Sequence, residues 1–240
     1  MKEKRQLPEN WASLGPQEFI SRWYSEQYST CTYCNAAGFS QKYMNKSIER
    51  AHTTKTHFEK VLEIGANKGE HLQYVNHSFD QYFLTDIKSH QLTELPTNEK
   101  RSGLIFQRED ARQLSFASKH FDRVLCSCVL HHINDAESAL VEMRRVLKPG
   151  GVADLFLSSD PGFAFRIGRY LGPVREAKKL HLDGVKRLVD ARDHLNHVAG
   201  LTRLIRHVFR NDIIIERSHP IPHFSWNLSF WKTFHIKRNL

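Results

Sequence analysis

Two rhythms of apolar positions divide the chain. Up to residue 58 the spacing is helical. In "PQEFISRWYSEQY" the residues Phe19, Ile20, Trp23 and Tyr24 recur on one face, and "NKSIERAHTT" is a weaker stretch of the same kind. From residue 59 onward short apolar runs bounded by glycine and polar residues take over. "KVLEIG", "QYFLTDI", "GLIFQRED", "FDRVLCSCVL" and "VADLFLSS" predict strands, while "GEHLQYVNH", "SHQLTEL" and "DAESALVEMRRVL" predict the helices between them. In the last of these Leu140, Met143, Val146 and Leu147 make one buried stripe that "KPGG" closes. Strands alternating with helices predict an α/β, doubly wound parallel sheet, because every parallel crossover needs a connection of helix length. The expected organisation is a helical region over 1–58 and a main domain over 59–240, with 160–210 as a helical insertion before the sixth strand.

Composition narrows the setting. A net charge of +9 and a pI near 9.4 favour anionic partners without choosing among them. The basic residues are spread out, with modest clusters in "FRIGRYLGPVREAKK" and "WKTFHIKRNL". Four cysteines, paired in sequence as Cys31/Cys34 and Cys126/Cys128, make no disulfide framework, and the N-terminus has no apolar stretch for a signal peptide. The expectation is a cytoplasmic protein with reduced thiols. No run reaches the roughly 20 apolar residues of a transmembrane helix, which leaves only peripheral contact with a membrane surface open. The C-terminal aromatics Trp226, Phe230, Trp231 and Phe234 alternate with polar residues beside Lys232, Lys237 and Arg238. That alternation favours a strand over a membrane anchor.

In a doubly wound sheet ligands sit beyond the carboxyl ends of the strands. "VLEIGANKGEH" ends one such strand, Val61 to Ile64, in a turn from Gly65 to Gly69, with a helix expected from about Lys68. The pattern is G-x-N-x-G. Asn67 is the non-glycine type that best tolerates positive φ, so the turn can be tight. A dinucleotide fingerprint would place a third glycine where Glu70 stands. A carboxylate there, with Glu63 just before the first glycine, repels a pyrophosphate and argues against a nicotinamide dinucleotide.

"VLEIGANKG", "LTDI", "REDARQLSF", "FDRVLCSCVLHHI" and "RRVLKPGG", in this order and spacing over residues 59–159, resemble the class I S-adenosylmethionine-dependent methyltransferases. The similarity is greatest to the small-molecule group that includes the ubiquinone/menaquinone methyltransferases. The departure is Asn67 in place of the usual glycine. The resemblance implies a Rossmann-like sheet of seven strands, parallel except for an antiparallel last one, with "DIIIE" as the sixth strand and "WNLSFWKTFHI" as the seventh. It implies S-adenosylmethionine as cofactor. Glu63, Gly65, Ala66, Asn67 and Gly69 would hold its amino-acid end, Asp86 and Ile87 its ribose, and Asp110 and Ala111 its adenine, with Cys126 completing the set.

Methyl transfer is an in-line displacement that depends above all on positioning. A hydroxyl acceptor also needs a base, and His131 and His132, after the fourth strand, are the candidates. Asp193, His194 and His197 in "DARDHLNH" are candidate acceptor-binding residues, with His194 and His197 expected on one helix face. Charge and insertion length favour a small polar acceptor methylated on O or N, such as a saccharide or lipid-linked glycan. The competing readings are an RNA methyltransferase and a non-catalytic cofactor-binding scaffold. No Pro-Pro-aromatic signature supports the first, and intact Glu63, Gly65, Asp86 and Asp110 argue against the second. No metal is expected. Cys126 and Cys128, two apart on a strand, are expected to share one core face rather than converge with His131 and His132. Cys31-Thr-Tyr-Cys34 has no partner motif.

Overall fold

The computed structural model describes residues 8–27, 36–87 and 101–240. The Cys31/Cys34 pair and the expected "SHQLTEL" helix lie outside the described residues. Seven strands form one sheet: β1 (His57–Ile64), β2 (Ser78–Asp86), β3 (Leu104–Arg108), β4 (Phe121–Ser127), β5 (Leu147–Ser158), β6 (Ile213–His219) and β7 (Trp231–Lys237). Their order is β3-β2-β1-β4-β5-β7-β6. β7 pairs antiparallel with both β5 and β6, and the other pairs are parallel. The Rossmann-like arrangement expected from the sequence is the one observed.

The helices, in chain order, are α1 (Glu9–Ala12), α2 (Pro16–Arg22), α3 (Ala36–Glu49), α4 (Ala136–Val146), α5 (Phe163–Leu171), α6 (Pro173–Lys179), α7 (Asp183–Asp193) and α8 (Val198–Val208). On one sheet face Leu62, Ile64, Val124, Cys126 and Leu155 pack beneath Leu140, Met143 and Val146 of α4 and Leu201 and Ile205 of α8. This is an ordinary apolar core. The stripe expected in "DAESALVEMRRVL" is buried here, and the Asp135 carboxylate caps α4 by accepting from Ser138 N at 3.0 Å.

The other face is polar at its centre. Arg123 of β4 is fully buried; its Nε donates to Asp154 Oδ2 at 2.8 Å, one terminal nitrogen donates to Glu49 Oε1 at 2.7 Å, and the other lies 2.6 Å from His77 Nε2. His52 and His235 bond the two oxygens of Asp154, each at 2.7 Å. Asp154 is thereby held well below the usual carboxylate range: burial opposes this, and the Arg123 guanidinium and then His235 and His52 overcome it. The guanidinium already neutralises that carboxylate, so the His52–Asp154–His235 cluster is occupied by protein charge. α3 covers this face, and its C-terminal half is the "NKSIE" stretch.

A third cluster, Trp11, Phe19, Trp23, Ala177, Val185 and Val189, packs the N-terminal helices against α6 and α7. Two regions far apart in sequence thus meet in one cluster.

Two local expectations change. "GEHLQYVNH" forms only a 3-10 turn, Leu72–Tyr74. Gly69 turns the chain at φ +73, and the His71 ring is tied to α3 through Asn45 Oδ1 at 2.9 Å and Glu49 Oε1 at 2.7 Å. The 160–210 segment is four short helices. Cys126 and Cys128 lie on opposite sides of the sheet, because β4 ends at Ser127 and Cys128 adopts φ +58. Cys126 packs in the apolar core, whereas Cys128 faces Met44.

Candidate active site

The carboxyl ends of β1, β2 and β4 open into a cavity of about 470 Å³. Its lining includes Glu63, Gly65, Ala66, Asn67, Asp86, Ile87, Asp110 and Ala111 from the expected cofactor set, with His132 and Asp193. Ile20 of α2, Tyr24 of the turn that follows it, Met44 and Asn45 of α3 and His71 of the turn after β1 also line it.

The first turn is built by hydrogen bonds across strands. Gly65 N and Ala66 N both donate to Thr85 O, at 2.8 and 2.9 Å, and Gly69 N donates to Ala66 O at 2.8 Å. Asn67 N donates to Asp86 Oδ2 at 3.2 Å and Lys68 N to Glu70 Oε2 at 3.1 Å. All five amides of the turn are therefore satisfied internally. The turn thus presents close backbone surface to the cavity rather than free N–H donors. Gly65 has φ +70, and a Cβ there would lie 2.1 Å from Val129 Cγ2. Only glycine lets the chain pass this close to the segment after β4. Asn67 takes φ 49, as its residue type predicts.

Glu63 is buried and its Oε2 accepts from the Tyr82 hydroxyl at 2.7 Å. Burial pushes its carboxyl up, against the opposing charge of His71 and the bond from Tyr82. Among the described residues it forms no salt bridge. A buried carboxylate at a cavity wall suits a ligand cation such as an ammonium. Asp110 lines the cavity, but Arg112 bonds both its oxygens, at 2.6 to 3.2 Å, and holds its carboxyl below the usual range. A hydrogen bond from an adenine amino group to Asp110 must compete with that charged contact.

Cys126 does not line the cavity. Its side chain is fully buried in the core, and burial pushes its thiol up to about 12. The neighbours Ser127, Cys128 and Val129 line the wall instead, and the buried Ser127 Oγ has no hydrogen-bond partner. His131 is also withdrawn. Its Nδ1 lies 2.9 Å from Asn196 O and its Nε2 2.9 Å from Ser158 Oγ, and burial lowers its pKa to about 4. The adjacent histidine is different. His132 Nδ1 lies 2.9 Å from Asp193 Oδ2 and 3.2 Å from Asp193 O. Tyr24 donates its hydroxyl to the same carboxylate oxygen. Burial alone would raise the Asp193 carboxyl; the bond from His132, then that from Tyr24, pulls it below its ordinary value.

The remaining acceptor candidates do not share a helix face. α7 ends at Asp193, His194 is its C-cap, and His197 precedes α8. His194 Nδ1 bonds Asp160 Oδ2 at 2.8 Å, and His197 is exposed. The sequence signal for the His132–Asp193–Tyr24 group was weak. Tyr24 was legible only as part of an apolar stripe, because a tyrosine body packs like a hydrophobe while its hydroxyl seeks a partner.

The donors and acceptors fit S-adenosylmethionine. Its ammonium, ribose hydroxyls and adenine amino group are all hydrogen-bond donors, and Glu63, Asp86 and Asp110 offer carboxylates. The same carboxylates, with Glu70, would repel a pyrophosphate.

Comparison with known proteins agrees. Residues 62–153 match the family model described as "Methyltransferase domain". The ubiquinone/menaquinone biosynthesis C-methyltransferase of Desulfotalea psychrophila is 32% identical over 93 residues, 38% of each chain. The rat protein named arginine-hydroxylase NDUFAF5, mitochondrial, is 27% identical over 157 residues, which are 63% of this chain and 39% of that protein. The chain thus spans well under half the length of these relatives. Among solved structures, a Thermotoga maritima protein described as a possible histamine N-methyltransferase superposes with a TM-score of 0.60 at 14% identity, covering 92% of this chain and 99% of that one. The Haemonchus contortus phosphoethanolamine N-methyltransferase 2, solved with S-adenosyl-L-methionine, gives 0.60 at 15% identity, covering 92% and 60%. At such identities the likeness concerns the fold alone. With the strand order, the glycine turn against Val129 and the matched segment in agreement, residues 62–153 form a methyltransferase domain set in a sheet of the class I S-adenosylmethionine-dependent methyltransferase type.

Proposed function

We propose that the protein transfers a methyl group from S-adenosylmethionine to an oxygen or nitrogen atom of a small polar acceptor, and that His132 removes the acceptor's proton. The observation that carries this reading is the tautomer imposed on His132. Both atoms facing its Nδ1, the Asp193 carboxylate and the Asp193 carbonyl, are acceptors. Nδ1 therefore carries the proton, and Nε2 is left as the basic nitrogen.

The cofactor supplies an activated methyl on a sulfonium. The chain's own residues position and deprotonate. Asp193 orients the imidazole and stabilises its protonated form, and Tyr24 fixes the Asp193 carboxylate from the N-terminal helices. Those helices and α7 form the wall across from the glycine turn, so the 1–58 and 160–210 regions together select the acceptor. His132 and Asp193 in this wall suit a hydroxyl or amine. A saccharide or lipid-linked glycan remains the acceptor class that charge and insertion length favour.

The test separates binding from transfer. Calorimetry with S-adenosylmethionine should give equal affinity for the native protein and for His132→Ala. Methyl transfer from labelled cofactor to the acceptor, found by screening cell-extract fractions, should fall by about 10²- to 10⁴-fold in His132→Ala, the usual worth of a general base. Asp193→Asn should fall as well. An unchanged rate in His132→Ala would refute the role of the base.

A further inference from the structure

We propose that the outward face of α5, together with the loop at 220–228, seats the protein on a bilayer surface bearing anionic headgroups.

α5 is built inside out. At about 100° per residue, Phe163, Ile167, Tyr170 and Leu171 share one face roughly 100° wide. Their exposures are 59%, 44%, 56% and 62%, and no residue of α5 is buried. The inward side carries charge instead: Arg169 pairs with Asp190 and lies 3.6 Å from Asp160. An amphipathic helix in a water-facing position should be turned the other way.

The apolar face does not end with the helix. Phe163 N donates to Asn227 Oδ1 at 2.9 Å, and a Cβ on Gly162 would lie 2.8 Å from Trp226 O, so the 220–228 loop abuts the start of α5. Ile221, Phe224 and Leu228 of that loop are each about half exposed. The two elements form a continuous apolar surface, of the kind that marks an interaction site.

Charge selects the partner. Besides the inward-paired Arg169, residues 163–181 carry four cations, Arg166, Arg175, Lys178 and Lys179, against the single carboxylate of Glu176, which Lys179 engages at 2.7 Å. Residues 217–228 add Arg217 and no carboxylate. Apolar side chains rimmed by cations match an interface of acyl chains beneath anionic headgroups. No helix among the described residues is long and apolar enough to cross a membrane, so contact of this kind is peripheral. Of the C-terminal aromatics, Phe234 and Trp231 are not part of it: Phe234 is in the core and Trp231 packs on Phe156.

Sedimentation with vesicles tests the proposal and does not depend on methyl transfer. The protein should bind vesicles of equal parts phosphatidylcholine and phosphatidylglycerol, not phosphatidylcholine alone, and release as salt rises. Arg166→Gln with Arg175→Gln should weaken binding about 25-fold, about fivefold per cation near an anionic surface. Phe163→Ser with Leu171→Ser should reduce binding at least tenfold while leaving circular dichroism and S-adenosylmethionine titration unchanged. Absence of vesicle binding at low salt, or binding unchanged in the Phe163/Leu171 variant, overturns the proposal. So does a concentration-dependent dimer that this variant abolishes, which would make a second copy the occupant of the face.

Discussion

Replacing Gly65 by alanine tests how the turn after β1 is held. Gly65 sits at φ +70, where a Cβ costs about 1 to 2 kcal/mol. That Cβ would also lie 2.1 Å from Val129 Cγ2, 3.1 Å from Cγ1 and 3.2 Å from Cβ. Valine is stiff about χ1, so it cannot swing clear, and forced overpacking of this kind costs about 1 to 3 kcal/mol. The expected loss is about 2 to 5 kcal/mol in urea denaturation. S-adenosylmethionine affinity should fall with it, since the displaced amides of Gly65 and Ala66 tie the turn to Thr85 O. The steric part can be isolated. Measured against Val129→Ala alone, Gly65→Ala should cost only the backbone share, about 1 to 2 kcal/mol, so the two substitutions should couple favourably. A Gly65→Ala protein within about 0.5 kcal/mol of the native one, the range of an ordinary surface change, would refute the reasoning. Additive double-mutant energies would refute the contact with Val129.

Asp86→Ala removes the acceptor expected for two ribose hydroxyls and should weaken S-adenosylmethionine binding about 100-fold or more, at 1.5 to 3 kcal/mol per bond to a charged group; calorimetric titration checks it. Arg123→Ala leaves Asp154 and Glu49 buried without their guanidinium, and thermal or urea unfolding should show a loss of about 3 to 5 kcal/mol. Burial lowers the pKa of His77, His131 and His219 to about 4 each. Below about pH 6.5 the unfolded chain therefore takes up protons that the folded chain refuses. Stability should fall steadily as pH drops from about 6.5 to about 4, and His131→Asn should flatten that slope in denaturation series run at several pH values.

Much of this molecule was legible in the order of its residues. The strands of the 59–159 region, the α4 stripe and the turn at Gly65 are local patterns, set by periodicity and by where glycine is required. The expected helix after that turn failed because His71 is bonded to α3, a contact with Asn45 and Glu49 that no local pattern records. Cys126 and Cys128 were expected on one face, and a single residue at positive φ beyond the strand end placed them on two.

The sequence by itself determined the sheet, its apolar core and most of the residues on one wall of the cavity, because each depends on neighbours a few residues apart. Only the tertiary structure decided which histidine is available. His131 spends both ring nitrogens on Asn196 O and Ser158 Oγ, while His132 is held through one nitrogen by Asp193, 61 residues away, whose carboxylate is fixed by Tyr24 from the other end of the chain. The choice between two adjacent, chemically identical side chains rests on the partners that folding brings to them.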